Sequence, residues 1–97
     1  MAVTILGHLT ATHDTWTRVH ATQNTYGNGR YYLYVWPTQY NLKVSNSSDG
    51  SNALYVLGGE RMNLGLVDPY NIFVQTAHNS SHYYGAWLVP AGEDIEA

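Results

Sequence analysis

The chain has no cysteine and few charged side chains, and each absence excludes a class of function. Without cysteine there is neither a disulfide framework nor thiol chemistry. Charged residues make up 11% of the sequence, against about 25% in ordinary globular chains. The few basic side chains are too scattered to neutralise a row of phosphates, so we expect no nucleic-acid partner. They are Arg18, Arg30, Lys43 and Arg61.

The sequence also lacks a long apolar run. Its start, MAVTILGHLTAT, has no basic leader and is too short in apolar residues for a signal peptide or a membrane span. We therefore expect a chain made and folded in a cytoplasm, with no membrane partner. No apolar 3.6-residue period continues with caps for ten residues, so no helix is predicted.

What the sequence does contain is a series of β-type runs separated by turn residues. About seven or eight short strands, with turn signals every ~8 to 12 residues, predict an all-β fold, either an antiparallel β-sandwich or a barrel. The length fits one domain, which we assign to residues 1–90, followed by an acidic tail at 91–97. The predicted strands are 3–6, 15–23, 31–36, 40–44, 53–57, 60–66, 70–77 and 82–89.

Three breaks between these strands carry residues that are typical of tight reversals. Pro-Thr-Gln at 37–39 separates two β-type runs, and the Gly58-Gly59 pair is typical of a type I′ hairpin. Asn-Ser-Ser at 79–81 is placed to turn one strand into the last one. The sequence therefore predicts three hairpins between consecutive strands.

The run from Tyr31 to Trp36 is apolar on both faces, so this chain's core or another chain must cover each face. A turn with two central residues after this run would face Leu33 and Val35 inward, whereas a three-residue turn would face the aromatic side chains inward. We favour the first register, because aliphatic residues suit a dry interior and tyrosines suit a contact surface. The leftover aromatic row predicts a homo-oligomer. The predicted interface residues are Tyr32, Tyr34, Trp36 and Trp16.

No arrangement of nucleophile, base and orienting group is apparent, so we expect no enzymatic activity and no cofactor. His13 and Asp14 are neighbours, which point to opposite faces of a strand. His78 and His82 flank the 79–81 break, and a three-residue hairpin loop would face their imidazoles toward each other. These two histidines are weak candidates for a metal site, and no other metal site is predicted.

From Leu42 to Val89 the chain has the layout of one known class of proteins. A strand leads into NSSDGSNALYVLGG, and a Gly-Gly turn, a Tyr-Asn-Ile-Phe-Val strand and a closing aromatic strand before a proline follow. This order of strands and turns resembles that of small β-sandwich structural proteins of tailed-bacteriophage virions, of the capsid decoration or head-fibre type. The resemblance implies a non-enzymatic subunit on the particle surface, made in the host cytoplasm. Its implied partners are capsid or other virion structural proteins and like copies of itself.

Two functional classes therefore stay open. Nine Tyr and three Trp favour a structural protein-binding module, since these side chains bury a large area at low entropic cost. The alternative is a carbohydrate-binding, lectin-like β-sandwich, because exposed aromatic rings stack on sugars and Asn, Gln and Thr hydrogen-bond their hydroxyls. Retention on sugar resins would indicate the second class, and co-purification with virus particles the first.

Overall fold

The computed structural model describes residues 3–27 and 29–91, which form eight strands and one short 3-10 helix. The predicted all-β antiparallel sandwich is confirmed, and its two sheets do not close into a barrel. The described residues include no helix that is long and apolar enough to cross a membrane. The strands are β1 (Thr4–Ala11), β2 (Thr17–Arg18), β3 (Tyr31–Pro37), β4 (Leu42–Ser45), β5 (Leu54–Val56), β6 (Met62–Leu66), β7 (Phe73–Thr76) and β8 (His82–Pro90), and the 3-10 helix is Pro69–Asn71.

The strands form two four-stranded sheets in a nested order. The first sheet has the order β1-β8-β3-β6 and the second has the order β2-β7-β4-β5. β1 pairs with β8, β2 with β7, β3 with β6 and β4 with β5, as if one long hairpin had been rolled up on itself. Further pairings, β3 with β8 and β4 with β7, complete the sheets. This order is that of a jelly roll.

The core lies between the inner faces of the two sheets and is almost entirely aliphatic. On β3, Leu33 and Val35 are fully buried, and they lie opposite Leu88 and Ala86 of β8. Tyr84 is the largest fully buried side chain, and burial raises the pKa of its phenol above the ordinary range. The second sheet contributes Leu42, Val44, Val56 and Val74. Strand alternation thus sorts aliphatic side chains into the interior.

All three predicted hairpins are wrong as pairings, because each turn joins one sheet to the other. β3 and β6 belong to the first sheet, whereas β4 and β5 belong to the second. β7 and β8 are likewise in different sheets. Among the described strands, the only consecutive ones that pair are β4 and β5, across the loop at 46–53. Turn residues mark where the chain reverses, but they do not say which strand it pairs with next.

At the Gly58-Gly59 turn, the glycines allow a close contact between two connections and do not close a hairpin. Only Gly59 has a positive φ, 87°, which matches a type II turn rather than type I′. The Gly58 N–H donates to Asn41 Oδ1 at 3.0 Å, and the Gly59 N–H donates to the Pro37 carbonyl at 2.7 Å. A Cβ on residue 58 would lie 2.3 Å from the Gln39 carbonyl oxygen. Two connections between the sheets therefore lie against each other, and glycine permits their close approach.

Several predicted boundaries also need correction. β1 does not end at Gly7 but continues through a bulge there, where φ is 102°. The predicted 15–23 strand is only two residues long, at the edge of the second sheet. Tyr70 belongs to the 3-10 helix, whose N-cap Asp68 accepts from the Tyr70 N–H, and not to a strand. Of the predicted turn at 24–29, Asn28 lies outside the described residues, as does the predicted tail apart from its first residue, 91.

Candidate functional site

The outer face of the first sheet carries a continuous group of apolar and aromatic side chains, here called the aromatic face. The cross-strand register aligns Ile5, Trp87 and Tyr34 in one row. A second row holds His8, Gly85 and Trp36. None of the side chains that make up this face is a carboxylate, an ammonium or a guanidinium group. The aromatic face comprises Ile5, His8, Tyr32, Tyr34, Trp36, Tyr83 and Trp87.

Contacts between neighbouring strands hold the first row in place. The rings of Tyr34 and Trp87 stack with their centroids 5.3 Å apart and their planes 5° from parallel. On the far side, the Asn63 amide donates to the Tyr34 hydroxyl at 3.4 Å. Because paired side chains on one sheet face support each other, this part of the face is preorganised. It presents rings whose positions are fixed before any partner binds.

A shallow groove of about 190 Å³ runs over Gly85 in the second row. Trp36 and Trp87 flank it, and Ile5 and His8 line its β1 side. A Cβ on residue 85 would lie 3.8 Å from the Trp36 ring, which is ordinary contact distance. The groove therefore exists because residue 85 has no side chain, and a larger residue there would fill it.

Four of the seven side chains of the aromatic face are exposed to solvent, and Tyr32, Tyr34 and Trp87 are half-buried. Ile5 is 70% exposed, Tyr83 63% and Trp36 42%. Apolar side chains this exposed are ordinary when scattered singly, but adjacent ones mark a binding surface. The aromatic face is therefore the candidate functional site.

The structure brings together three of the four predicted interface residues. Tyr32, Tyr34 and Trp36 alternate with buried Leu33 and Val35, as the favoured register required. The facing was predicted correctly although the pairing was not, because β8 takes the place that we expected β4 to occupy beside β3. The side of a strand that is buried depends on its own alternation, whichever strand lies beside it.

Trp16, the fourth predicted residue, is not part of the aromatic face. Its half-buried ring lies against Gly50, and the Lys43 ammonium is 5.7 Å from the ring centroid. Lys43 alternates with core residues Leu42 and Val44, so its side chain points to the outer side of the second sheet. Trp16 thus covers the opposite side of the sandwich from Trp36.

Sequence reasoning missed the residues that β1 and β8 contribute to the aromatic face. Tyr83 and Trp87 alternate with the buried Tyr84, Ala86 and Leu88, and this period of two is visible in HYYGAWLVP. The signal could have assigned the two rings to one side of a strand. Their position beside Tyr34 follows only from the pairing of β3 with β8.

The predicted approach of His78 and His82 is present, although their strands belong to different sheets. The two imidazole centroids are 5.1 Å apart. Tyr40 stacks on His78 with a centroid distance of 3.8 Å and lies 4.3 Å from the His82 ring. Within the described part of the chain, no group of three or more His, Cys, Asp or Glu side chains is placed to hold a metal.

Another groove, of about 310 Å³, lies away from both of these features, at the open edge of the sandwich where β5 and β6 are the edge strands. Its lining combines aliphatic side chains, such as Leu54 and Leu64, with Ser45 and two asparagines, and includes no titratable side chain. Acid-base or nucleophilic chemistry needs positioned groups of that kind. The volume of this groove therefore does not make it the better candidate site.

Comparison with protein-family models, with curated proteins and with solved structures finds no match for this chain. The aromatic face is thus the strongest indication of what the protein does. Its geometry indicates binding through apolar contact and ring stacking.

Proposed function

We propose that the chain is a non-enzymatic structural subunit of a tailed-bacteriophage virion, a capsid decoration or related accessory protein. It binds capsid protein, and like copies of itself, through the aromatic face. The observation that carries this proposal is that the stacked, half-buried rings of Tyr34 and Trp87 lie on the same side of the sandwich as the exposed side chains of Ile5, Trp36 and Tyr83.

The composition of the aromatic face fits a protein partner. The centres of protein interfaces are enriched in Tyr and Trp and depleted in charged residues. Such rings dominate binding energy when a partner excludes water from them, because each buries a large area with few rotatable bonds. On this face, Ile5 and Tyr83 leave most of their surface uncovered by the chain itself. A flat protein surface that covers them gains this apolar burial.

The fold and the sequence layout support the same proposal. Jelly rolls occur in viral capsid domains and in lectins, so the architecture is compatible with a virion role without establishing it. The resemblance in Leu42 to Val89 to virion structural proteins favours the capsid over the lectin alternative. The low charge of the chain, 11%, also suits a subunit whose surface is largely covered by protein.

Carbohydrate binding is the second candidate, and the groove between Trp36 and Trp87 is the observation that favours it. A sugar ring could stack on either indole. Specific binding sites also need several convergent polar groups to fix the ligand. Apart from the two indoles, His8 is the only polar side chain among the described residues that line this groove, which is why we place the lectin function second.

The test is binding of the purified chain to virus particles that lack it, measured by co-sedimentation. Tyr34→Ala removes a ring from the centre of the aromatic face, and we expect roughly 30-fold weaker attachment, or about 2 kcal/mol. Tyr55→Ala is the matched control, because Tyr55 is 57% exposed but belongs to the second sheet. Its attachment should equal that of the unaltered chain.

Two outcomes would contradict the proposal. One is equal attachment of the Tyr34 and Tyr55 variants. The other is release of the chain from particles, or from a glycan resin, by free sugar, which would establish the carbohydrate-binding alternative. Circular dichroism of both variants, which should match that of the unaltered chain, excludes unfolding as the cause of a loss.

A further inference from the structure

We infer that His78 and His82 form a binding site for a borderline transition-metal cation, namely Zn²⁺, Ni²⁺ or Cu²⁺. The site lies where β7 ends and β8 begins, on the chain connection that joins the two sheets. It contains no residue of the aromatic face, and it does not depend on the proposed virion role.

The separation of the two rings is the one that joint ligation requires. A zinc-imidazole bond is about 2 Å long, and the ring centre lies about 1 Å beyond the bound nitrogen. Two imidazoles on a tetrahedral ion therefore have their centres about 5 Å apart. The centroids of His78 and His82 are 5.1 Å apart, with ring planes tilted by 60°. The spacing of the two rings is therefore compatible with joint ligation of one cation.

The ring of Tyr40 contacts both imidazoles and restricts their movement. Tyr40 stacks almost parallel on His78, with 8° between the planes. The backbone N–H of His78 donates to Thr76 Oγ1 at 3.3 Å, which anchors the residue to the end of β7. A site whose ligands are already ordered loses less conformational entropy on binding than one formed by two mobile side chains.

Ser80 contacts one ring nitrogen of His82. Its Oγ lies 3.4 Å from Nε2 of His82. In the tautomer in which the hydroxyl accepts from Nε2–H, the lone pair lies on Nδ1 and is free to bind a cation. Hydrogen bonds of this kind to the non-ligating nitrogen are common around protein metals and raise the basicity of the ligand. Ser80 thus acts as a positioning residue for His82.

The space beside His78 leaves room for further ligands. A groove of about 220 Å³ borders His78 and Tyr40 and is otherwise lined by Gln39, Asn41 and Ala77. Its room allows water or a side chain of a neighbouring molecule to complete the coordination. With two protein ligands the site binds less tightly than a closed four-ligand structural zinc site, and its metal is exchangeable.

The experiment uses the full chain without a histidine tag, titrated with CuCl₂ and with ZnCl₂ by isothermal calorimetry. We expect one cation per chain. His78→Ala or His82→Ala should weaken binding at least about tenfold, since even loss of a partner that only orients a ligand costs ~10- to 100-fold. His13→Ala is the control, because His13 is exposed and lies in a bend after β1. It should bind like the unaltered chain.

A spectroscopic arm keeps the test independent of how well the variants fold. Electron paramagnetic resonance of the unaltered chain with one equivalent of Cu²⁺ should show coupling to two imidazole nitrogens. A spectrum with one nitrogen or none would overturn the site, as would binding that is unchanged in the His78→Ala/His82→Ala double variant. Loss of binding in the His13 variant alone would also overturn it.

Discussion

The outer faces of the two sheets differ in what covers them. On the second sheet, Phe73 points outward yet is only 8% exposed, because other parts of the chain lie over it. The Arg18 guanidinium is 4.6 Å from the Phe73 ring and 3.8 Å from the Tyr70 ring. On the first sheet, Trp36 has no such cover and is 42% exposed.

The difference indicates which outer face the chain covers with its own residues and which it leaves exposed. Arg18 also donates to the Tyr70 carbonyl at 2.6 Å, so one side chain joins β2, the 3-10 helix and β7. Trp16 and the 46–53 loop cover another part of the same face. The aromatic face is exposed in a molecule that covers part of its other outer face with its own residues, and it is the surface on which the proposed partner would bind.

The largest expected effect is a difference in the free energy of unfolding between two variants, each of which loses one ring from one of the two outer faces. Phe73→Ala should lower the free energy of unfolding by about 2 to 4 kcal/mol, because it empties a buried position under Arg18. Trp36→Ala should change it by less than about 1 kcal/mol, because the indole is exposed in the isolated chain. Urea denaturation of both variants measures this. Equal losses would mean that the two faces are equally part of the folded core.

A smaller difference in stability is expected between variants of Gly50, which lies against Trp16, and of Gly85, which lies in the aromatic face. A Cβ on Gly50 would lie 2.3 Å from the Trp16 ring, and φ there is 79°, so Gly50→Ala should displace the indole and cost about 1 kcal/mol or more. Gly85→Ala should leave stability within about 0.5 kcal/mol, because its Cβ meets no atom closer than 3.8 Å. Thermal melts followed by tryptophan fluorescence measure both. Destabilisation by Gly85→Ala that exceeds that by Gly50→Ala would contradict the described packing.

The smallest effect concerns pH and the loop beside Trp16. Ser47 Oγ and the N–H and Oγ of Ser51 all donate to Asp49 Oδ1. Hydrogen bonds from Ser51 and then Ser47 lower the pKa of Asp49 from 3.8 to about 2. A carboxylate whose pKa is lowered by folding stabilises the fold at pH values above its pKa in the unfolded chain. This stabilisation is lost as pH falls from about 4 to about 2.

Asp49→Asn should therefore reduce the melting temperature slightly at pH 6, and the difference from the unaltered chain should shrink toward pH 2. Melting curves of both proteins between these values measure it. A gap that widens as pH falls would show that the carboxylate is not held by these hydrogen bonds. The effect is small because the loop is exposed and water competes for the carboxylate.

Much of the fold was predictable because strand alternation is a local property. Leu33 and Val35 could be assigned to the core from their neighbours alone, and the structure buries both. Strand pairing is not local. The Gly58-Gly59 pair has the same residues whether it closes a hairpin or crosses between sheets, and the contacts that distinguish the two cases come from residues 37–41, far from it in the sequence. Hairpins were therefore predicted where the chain changes sheet.

The candidate site shows the same division. Tyr34 could be assigned to an outer face, but its stacking partner Trp87 is 53 positions away in the chain and becomes its neighbour only through sheet order. Trp16 was included on residue type alone, and type does not distinguish a ring that covers its own chain from one left for a partner. The approach of His78 to His82 was predictable because the connection between them is short, whatever strands it joins.

The rolled-up pairing of the strands also governs how the chain can fold. β4 and β5 are close in sequence and can meet early, whereas β1 and β8 come from opposite ends of the chain and must close a very long loop. β8 lies between β1 and β3, so the first sheet cannot be completed until β8 has been synthesised. Until then, the edge of β3 that later pairs with β8 is unpaired, and it is open to strands of other molecules. Refolding yield should consequently fall as protein concentration rises, even where the folded state is stable.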